Sequence, residues 1–380
     1  FQNALNHINA KEYMWEDENE EKLLKDFRKN PLATYYPKAE KVYLPGDLKF
    51  SNLDLYAAYK FDIYAKNPHN RTNIYIDANT GEVLMNIQTL TAGVEGTAIT
   101  AYSGEQTITT EFSQDMYRLF DDTRGNGVAT YNCQNTSNYN SAVDFVDDDN
   151  YWDNFNDNLD EYATDAHFAT SATYDYFYNV HGRNSIDGQG LQLISYVHFN
   201  LIDYGMPSNV NAFWNGEWMT YGDGDQESEI TPLTTVDICG HEITHGLTSY
   251  TCNLVYQDEP GALNEAFSDI FGAAVEFYAV PEFADWTIGE DIGLIIRSME
   301  NPKQYGKPDT YLGENWVFGT EDYGGVHNNN GPLCYWFYLL AEGGQGTNDN
   351  GDDYSVEAIG IENVEQIAFR LQTGYLNETS

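Results

Sequence analysis

Two histidines four residues apart, His241 and His245 in His241-Glu242-Ile243-Thr244-His245, constrain this 380-residue chain more than any other feature. On an α-helix, residues at that spacing share a face with Cβ atoms about 6 Å apart, so both imidazoles can hold one metal ion. The segment must then be helical and packed against whatever supplies further ligands. Nineteen residues lie between His245 and Glu265, which sits in Asn264-Glu265-Ala266-Phe267-Ser268-Asp269 at the start of the next apolar stretch. Catalytic zinc keeps three protein ligands and leaves a fourth position to water, whose pKa it lowers to about 7. His241, His245 and Glu265 make that set. Asp269, one turn beyond Glu265, is placed to accept a hydrogen bond from a ligand imidazole and fix its orientation, although an ordinary carboxylate near a helix start reads the same way. Glu242 points about 100° away from His241 around the helix, so it can reach a metal-bound water without binding the metal and is the natural general base. Hydrolysis also needs donors for the oxyanion. Tyr256 is one candidate, and His327 in Asp322-Tyr323-Gly324-Gly325-Val326-His327-Asn328 is another, with Asp322 placed to orient it.

Eighteen basic against 60 acidic residues give a net charge of −42, which repels phosphate backbones and anionic lipid headgroups and excludes nucleic acid and membrane surfaces as partners. Most of the 60 carboxylates read as solvated surface, a minority as ligands for hard cations such as calcium. The apolar fraction of 41% is ample for globular cores, and the length predicts two or three domains. Cys133, Cys239, Cys252 and Cys334 permit three pairings or none, and spacing does not decide among them. Cys239 lies about 200° round the helix from His241 and is not expected to bind zinc. There is no apolar run of 18 residues, and Phe1 to Ala10 lacks the pattern of a signal peptide, so a secreted chain would have lost its signal already.

The first 90 residues hold most of the basic side chains, among them Lys22, Lys25, Arg28, Lys29, Lys38, Lys41, Lys49, Lys60, Lys66 and Arg71. This shift in composition marks a domain boundary. A helix over Glu18 to Lys29 and strands over Leu55 to Ile63 and Asn73 to Ile76 predict a small α+β module with hairpins. From Thr91 the chain turns to Gly, Thr and Ser alternating with apolar residues, read as short antiparallel strands. Helices are expected over Asp165 to Asn179, Cys239 to Thr248, Ala262 to Tyr278 and Gly331 to Ala341. The chain is expected to be mainly helical from Asn211 onward, with Gly343 to Asp353 a surface connection.

These residues together resemble the thermolysin family of zinc metallopeptidases. The run from Asp237 to Tyr278 is similar to the family's catalytic centre, Asn211-Ala212-Phe213-Trp214-Asn215-Gly216 to its substrate-binding edge, Arg297-Ser298-Met299 to its carbonyl-binding arginine segment, and Gly324-Gly325-Val326-His327 to its catalytic histidine loop. The resemblance implies an α+β fold with a two-lobe catalytic domain, β-rich over 91–240 and mainly helical over 241–380. The helical lobe stops short of the family's last helices. It implies one zinc on His241, His245 and Glu265, Glu242 as base, and Tyr256, His327 and Asp322 in the roles named above. Asn211, Ala212 and Trp214 would pair with the substrate backbone, and Arg297 would contact the carbonyl on the leaving side. Ile230, Leu233, Ile238 and Ile296 would wall an apolar pocket for a bulky residue there. One or two calcium ions would sit on Asp237, Glu276, Asp285, Thr287 and Glu290, with a further candidate at Asp147 and Asp149. Residues 1–90 resemble the end of the family's propeptide, a PepSY-like module acting as intramolecular chaperone and inhibitor, with cleavage between about Leu84 and Gly96. The implied protein is a secreted, monomeric endopeptidase made as a zymogen, acting on polypeptides. Two rivals are a catalytically silent, zinc-stabilised secreted binding protein and a metal hydrolase of non-peptide substrates. The first would not need Glu242, Tyr256 or His327, and the second would not need the edge at Asn211.

Overall fold

The computed structural model describes residues 1–45, 55–67, 69–89, 93–113, 115–156 and 159–380. Lys49, and Thr91 at the expected boundary within the expected cleavage zone, lie outside the described residues. The chain divides into two compact units, Phe1–Ala92 with Glu111–Asp115, and Gly93–Thr110 with Met116–Ser380.

The first unit is α+β. Helices α1 (Gln2–Ile8) and α2 (Glu18–Phe27) accompany an antiparallel sheet of β1 (Glu12–Tyr13), β2 (Glu40–Pro45), β3 (Leu55–Asn67), β4 (Asn70–Asp77) and β5 (Val83–Gln88). Alternation along β3 and β4 buries Phe61, Ile63, Ile74 and Ile76 around Ala4 and Tyr13. Asp17 caps α2 by accepting from the amides of Asn19 and Glu20. The turn after β4 is held by Asp77 Oδ1, which accepts from the amides of Asn79 and Thr80.

In the second unit, β6 (Val94–Ile99) forms a hairpin with the part of β7 (Glu105–Ser113) up to Thr110, and a separate sheet is built on β8 (Val128–Thr136) and β9 (Leu193–Phe199), which run parallel. The long helix α3 (Glu161–His181) lies between these two strands in the chain. Past the expected onset of helix at Asn211 come two more strands of that sheet, β10 (Ala212–Trp214) and β11 (Met219–Tyr221). Their turn residues Asn215 and Gly216 and their β-prone Phe213, Trp214 and Tyr221 account for this difference from the helical expectation. β11 pairs with β9, leaving β10 at the edge.

Then follow α4 (Val236–Ser249), α5 (Asp258–Ala279), α6 (Asp322–Asn329), α7 (Gly331–Glu342) and α8 (Ile361–Gly374). One continuous core takes in Ile243 and Leu247 of α4, Phe267, Ile270 and Phe271 of α5, Phe337 of α7 and Val364 of α8. Burial of such side chains stabilises the fold by about 1.5–3 kcal/mol each. Helix α4 runs unbroken through the expected lobe boundary at 240/241. It crosses α5 closely because glycines meet there: a Cβ on Gly240 would stand 3.1 Å from Gly272 Cα, and one on Gly272 would stand 2.5 Å from Asp237 O. Gly343 to Asp353, expected as a surface connection, is largely exposed and carries the first strand and the turn of an antiparallel hairpin of β12 (Gly344–Thr347) and β13 (Asp353–Val356). All four cysteines are free and buried, which resolves the open pairing as none. No helix among the described residues is long and apolar enough to cross a membrane.

Candidate active site

The close crossing of α4 and α5 brings His241, His245 and Glu265 to one point, with a ligand atom of each within 4.8 Å of the others. The Nε2 atoms of the two histidines are 3.0 Å apart, and each stands 3.5 Å from an oxygen of Glu265. Their other nitrogens are committed elsewhere, His241 Nδ1 to Asp269 Oδ1 at 2.9 Å and His245 Nδ1 to Asn264 Oδ1 at 2.8 Å. Because both partners are acceptors, both Nδ1 atoms carry the proton and both Nε2 lone pairs face the common point. Glu265 Oε2 is buried there without a hydrogen-bond partner. Two converging lone pairs and an unpartnered buried carboxylate oxygen are the donor set of a zinc site, so the residues present fit the ion.

The electrostatics point the same way. Burial opposes charge on Glu265, but the attraction of the surrounding imidazoles of His245, His241 and His327 in their protonated form, with that of the Arg297 guanidinium, outweighs it and holds the carboxyl down at about 2. Asp269, also buried, is held well below the usual carboxylate range by Arg297 and His241. Arg297 grips it with Nε and Nη2, both at 2.7 Å, and Asn330 Nδ2 adds a third donor at 2.6 Å. Burial alone would depress His241, yet Asp269, Glu265 and Glu242 raise it above its ordinary value. The site calls for positive charge at that point.

Glu242 Oε2 accepts from the backbone amide of Trp214 on the edge strand at 2.8 Å. That amide, expected to serve the substrate, is thus taken up in placing Glu242. Across the site, Tyr256 OH donates to Glu265 Oε1 and lies 3.0 Å from His327 Nε2. Burial and the Glu265 carboxylate push the Tyr256 phenol well above its ordinary range, so it stays a donor. Asp322 holds His327 twice, Oδ1 to Nδ1 at 2.7 Å and Oδ2 to the amide at 3.0 Å. Asn211 is exposed at the start of the edge strand and Ala212 is buried. Leu233 and Ile238 belong to the core, with Ile230 and Ile296 packed against it.

A second cluster lies at the other end of α5, where Glu276, Glu290 and Asp291 bring carboxylate oxygens within 4.8 Å of one another. Thr287 Oγ1 lies 2.7 Å from both Asp285 Oδ1 and Glu290 Oε2, with one proton to give to either. Asp237 accepts from the amides of Ile238 and Gly289 at 2.7 Å each. Asp147, Asp148 and Asp149 form a third such group, with Asp147 Oδ1 accepting from the amides of Asp149 and Asn150.

The thermolysin metallopeptidase catalytic-domain family matches residues 95–249, and the thermolysin metallopeptidase alpha-helical-domain family matches residues 252–380. The chain belongs to the thermolysin family. It is 44% identical over 270 residues to the thermostable neutral protease NprT of Geobacillus stearothermophilus and to thermolysin of Alicyclobacillus acidocaldarius subsp. acidocaldarius, covering 70% of this chain and 46% of each of those proteins. A bacillolysin of Brevibacillus brevis is 37% identical over 364 residues, 93% of this chain and 62% of that protein. Among solved structures, the precursor of protealysin, a metalloproteinase from Serratia proteamaculans, matches at 32% identity over 56% of this chain and 67% of that one, with a TM-score of 0.46. The chain thus spans about half the length of the first two relatives.

Within this thermolysin-family site, three side chains escaped the sequence reading. Asn264 fixes His245 and could have been noticed as the neighbour of Glu265. Asn330 braces Asp269 from 61 positions away, and no local pattern announces it. Asp291 joins Glu276 and Glu290, one residue past a ligand that the resemblance supplied.

Proposed function

We propose that this thermolysin-family chain is a zinc-dependent endopeptidase, and that the convergence of His241, His245 and Glu265 beside Glu242 carries the reading. Zinc held by those three residues would supply an acidified water and a Lewis acid for the peptide carbonyl. Glu242, aimed by the Trp214 amide, takes the proton of the attacking water and delivers it to the leaving nitrogen. Tyr256 and His327, the latter oriented by Asp322, donate to the oxyanion. The open edge of β10 pairs with the substrate backbone through Ala212, with Asn211 beside it. Arg297 Nη1, which has no hydrogen bond among the described residues while Asp269 takes Nε and Nη2, is available to a carbonyl on the leaving side. Ile230, Leu233, Ile238 and Ile296 favour a bulky apolar residue there.

We further propose the domain roles: 1–90 as propeptide, inhibitor and chaperone of a secreted zymogen, 91–240 as the β-rich lobe and 241–380 as the helical lobe of the peptidase. Asp237, Glu276, Asp285, Thr287 and Glu290, now with Asp291, would hold structural calcium, whose charge would relieve the repulsion among them. The test is hydrolysis of a blocked peptide with a central Gly-Leu bond by the chain before and after propeptide cleavage, beside Glu242→Ala and a zinc-chelated control. Activity confined to zinc-replete, Glu242-bearing protein supports the reading. A folded protein that binds one zinc and cleaves nothing would sink it in favour of the silent scaffold.

A further inference from the structure

The turn ahead of His327 is built against the ordinary preferences of its residues. Asp322, Tyr323, Gly324 and Gly325 have φ of 51°, 53°, 92° and 81°, four successive residues in the left-handed region. The two glycines are required: a Cβ on Gly324 would stand 2.1 Å from Asp258 Oδ1, and one on Gly325 would stand 2.7 Å from Val317 Cβ. The turn is pinned from several sides. The amides of Gly324 and Gly325 donate to Glu321 O at 3.0 and 2.9 Å, Asn329 Nδ2 donates to Gly324 O at 3.2 Å, and Gln257 Nε2 donates to Tyr323 O at 2.8 Å. Asp322 is accounted for by its two bonds to His327.

Tyr323 is not accounted for in this way. A bulky side chain gains nothing from a left-handed backbone such as the φ of 53° at Tyr323. The residue is 60% exposed. Its ring meets Tyr256 at 5.6 Å between centroids and 65°, an edge-to-face contact. Tyr256 is itself joined to Glu265 and His327. Strained residues held by an over-determined frame gather at functional sites, and here the strain presents an uncovered aromatic face beside the catalytic groups.

We propose that Tyr323 is a specificity-determining residue, forming with Tyr256 an aromatic corner that takes a planar aromatic side chain of the substrate on the acyl side of the scissile bond. The inference rests on the peptidase reading. Under that reading the leaving side is assigned to Ile230, Leu233, Ile238, Ile296 and Arg297, which leaves the acyl side to the aromatic pair beside His327. Two aromatic rings set edge to face offer a third ring the offset geometry that such groups prefer.

The experiment compares kcat and KM for two peptides, identical but for Phe or Ala on the acyl side of one Gly-Leu-type bond, with wild type, Tyr323→Asn and Tyr323→Phe. Asparagine tolerates the left-handed backbone, so the turn should survive, with a thermal midpoint equal to or above that of wild type. Wild type should favour the Phe peptide by about tenfold in kcat/KM, mainly through KM, Tyr323→Asn should lose that preference, and Tyr323→Phe should keep it. An equal loss on both peptides would overturn the proposal and make Tyr323 a residue that merely positions Asp322 and His327. No preference in wild type, or one that survives Tyr323→Asn, would overturn it as well. Failure of wild type to cleave either peptide would strike the peptidase reading itself.

Discussion

Glu265 and Glu276 stand about three turns apart on one helix, 0% and 2% exposed, and titrate in opposite directions. Burial opposes ionisation of both. Glu265 is nevertheless held at about 2, because His245, His241, His327 and Arg297 surround it. Glu276 is pushed up to about 10, burial being reinforced by Asp237, Glu290 and Asp285. Glu290, in the same crowd, rises to about 7. The neighbours, rather than depth, decide whether a buried carboxylate ionises. One end of α5 has gathered imidazoles and a guanidinium around a carboxylate that stays ionised; the other has gathered carboxyls that hold on to protons.

The comparison is sharpest if each end fails in its own way. Glu242→Gln keeps the zinc ligands and their charges but removes the base, so kcat should fall by about 10²- to 10⁴-fold with bound zinc and thermal midpoint unchanged. A variant that loses zinc in parallel would show that Glu242 helps build the site. At the other end, saturating calcium should stabilise the protein by about 3 kcal/mol at a hundredfold excess over its dissociation constant. For a domain of this size that is roughly 5–10 °C in midpoint. Glu276→Gln should abolish that response while leaving the midpoint in calcium-free buffer equal or higher, since it removes a carboxyl that must take up a proton to be buried among Asp237, Glu290 and Asp285. Differential scanning calorimetry with and without calcium decides, and an undiminished calcium response in Glu276→Gln would remove this cluster from the calcium account.

How much of this was legible depended on how local the signal was. His241, Glu242 and His245 lie within one and a half turns of a helix, and helix geometry alone puts two imidazoles on one face and the carboxylate to the side. Glu265 and Asp269 were legible for the same reason, being one turn apart on the next helix. Asn330 was not, because its bond to Asp269 is made by the return of the chain over α5. Helices α3, α4, α5 and α7 contain the spans expected for them, extended by a few residues at their ends. The hairpin of β12 and β13 was read as a loop because Gly344-Gln345-Gly346-Thr347 has almost no strand propensity of its own and takes its conformation from its partner. The strands β10 and β11 were absorbed into a helical reading because three-residue strands are too short to show alternation.

Between the two ends of the comparison in effect is the orientation of the ligands. Asn264→Ala removes the acceptor of His245 Nδ1, and zinc affinity should fall by about 10- to 100-fold in competition with a chelator. Ser268 Oγ, 3.2 Å from the same nitrogen, favours the lower figure. An affinity unchanged within twofold would show that the hydroxyl alone holds the ring.

The smallest effect tests the third case, a buried titratable group with no strong charge beside it. His181 ends α3 and stacks on Phe369 at 4.1 Å and 9°, with Phe271 of α5 at 6.0 Å. Here burial wins, opposed only by a hydrogen bond with Gln366, and the imidazole falls to about 4. The sign follows from linkage: below pH 6.5 the unfolded chain takes up the proton while the folded chain resists until about pH 4, so stability is complete above pH 6.5 and drains away as the pH falls towards 4. For a ring still partly exposed, the loss should be about 2 kcal/mol or less after allowing for solvent screening. His181→Phe keeps an aromatic face against Phe369 and removes the proton, so urea midpoints taken from pH 7 to pH 4 should decline less steeply than in wild type. Parallel slopes in the two proteins would mean that the ring is solvated enough to titrate normally, and that depth had been credited with more than it does on this face of α5.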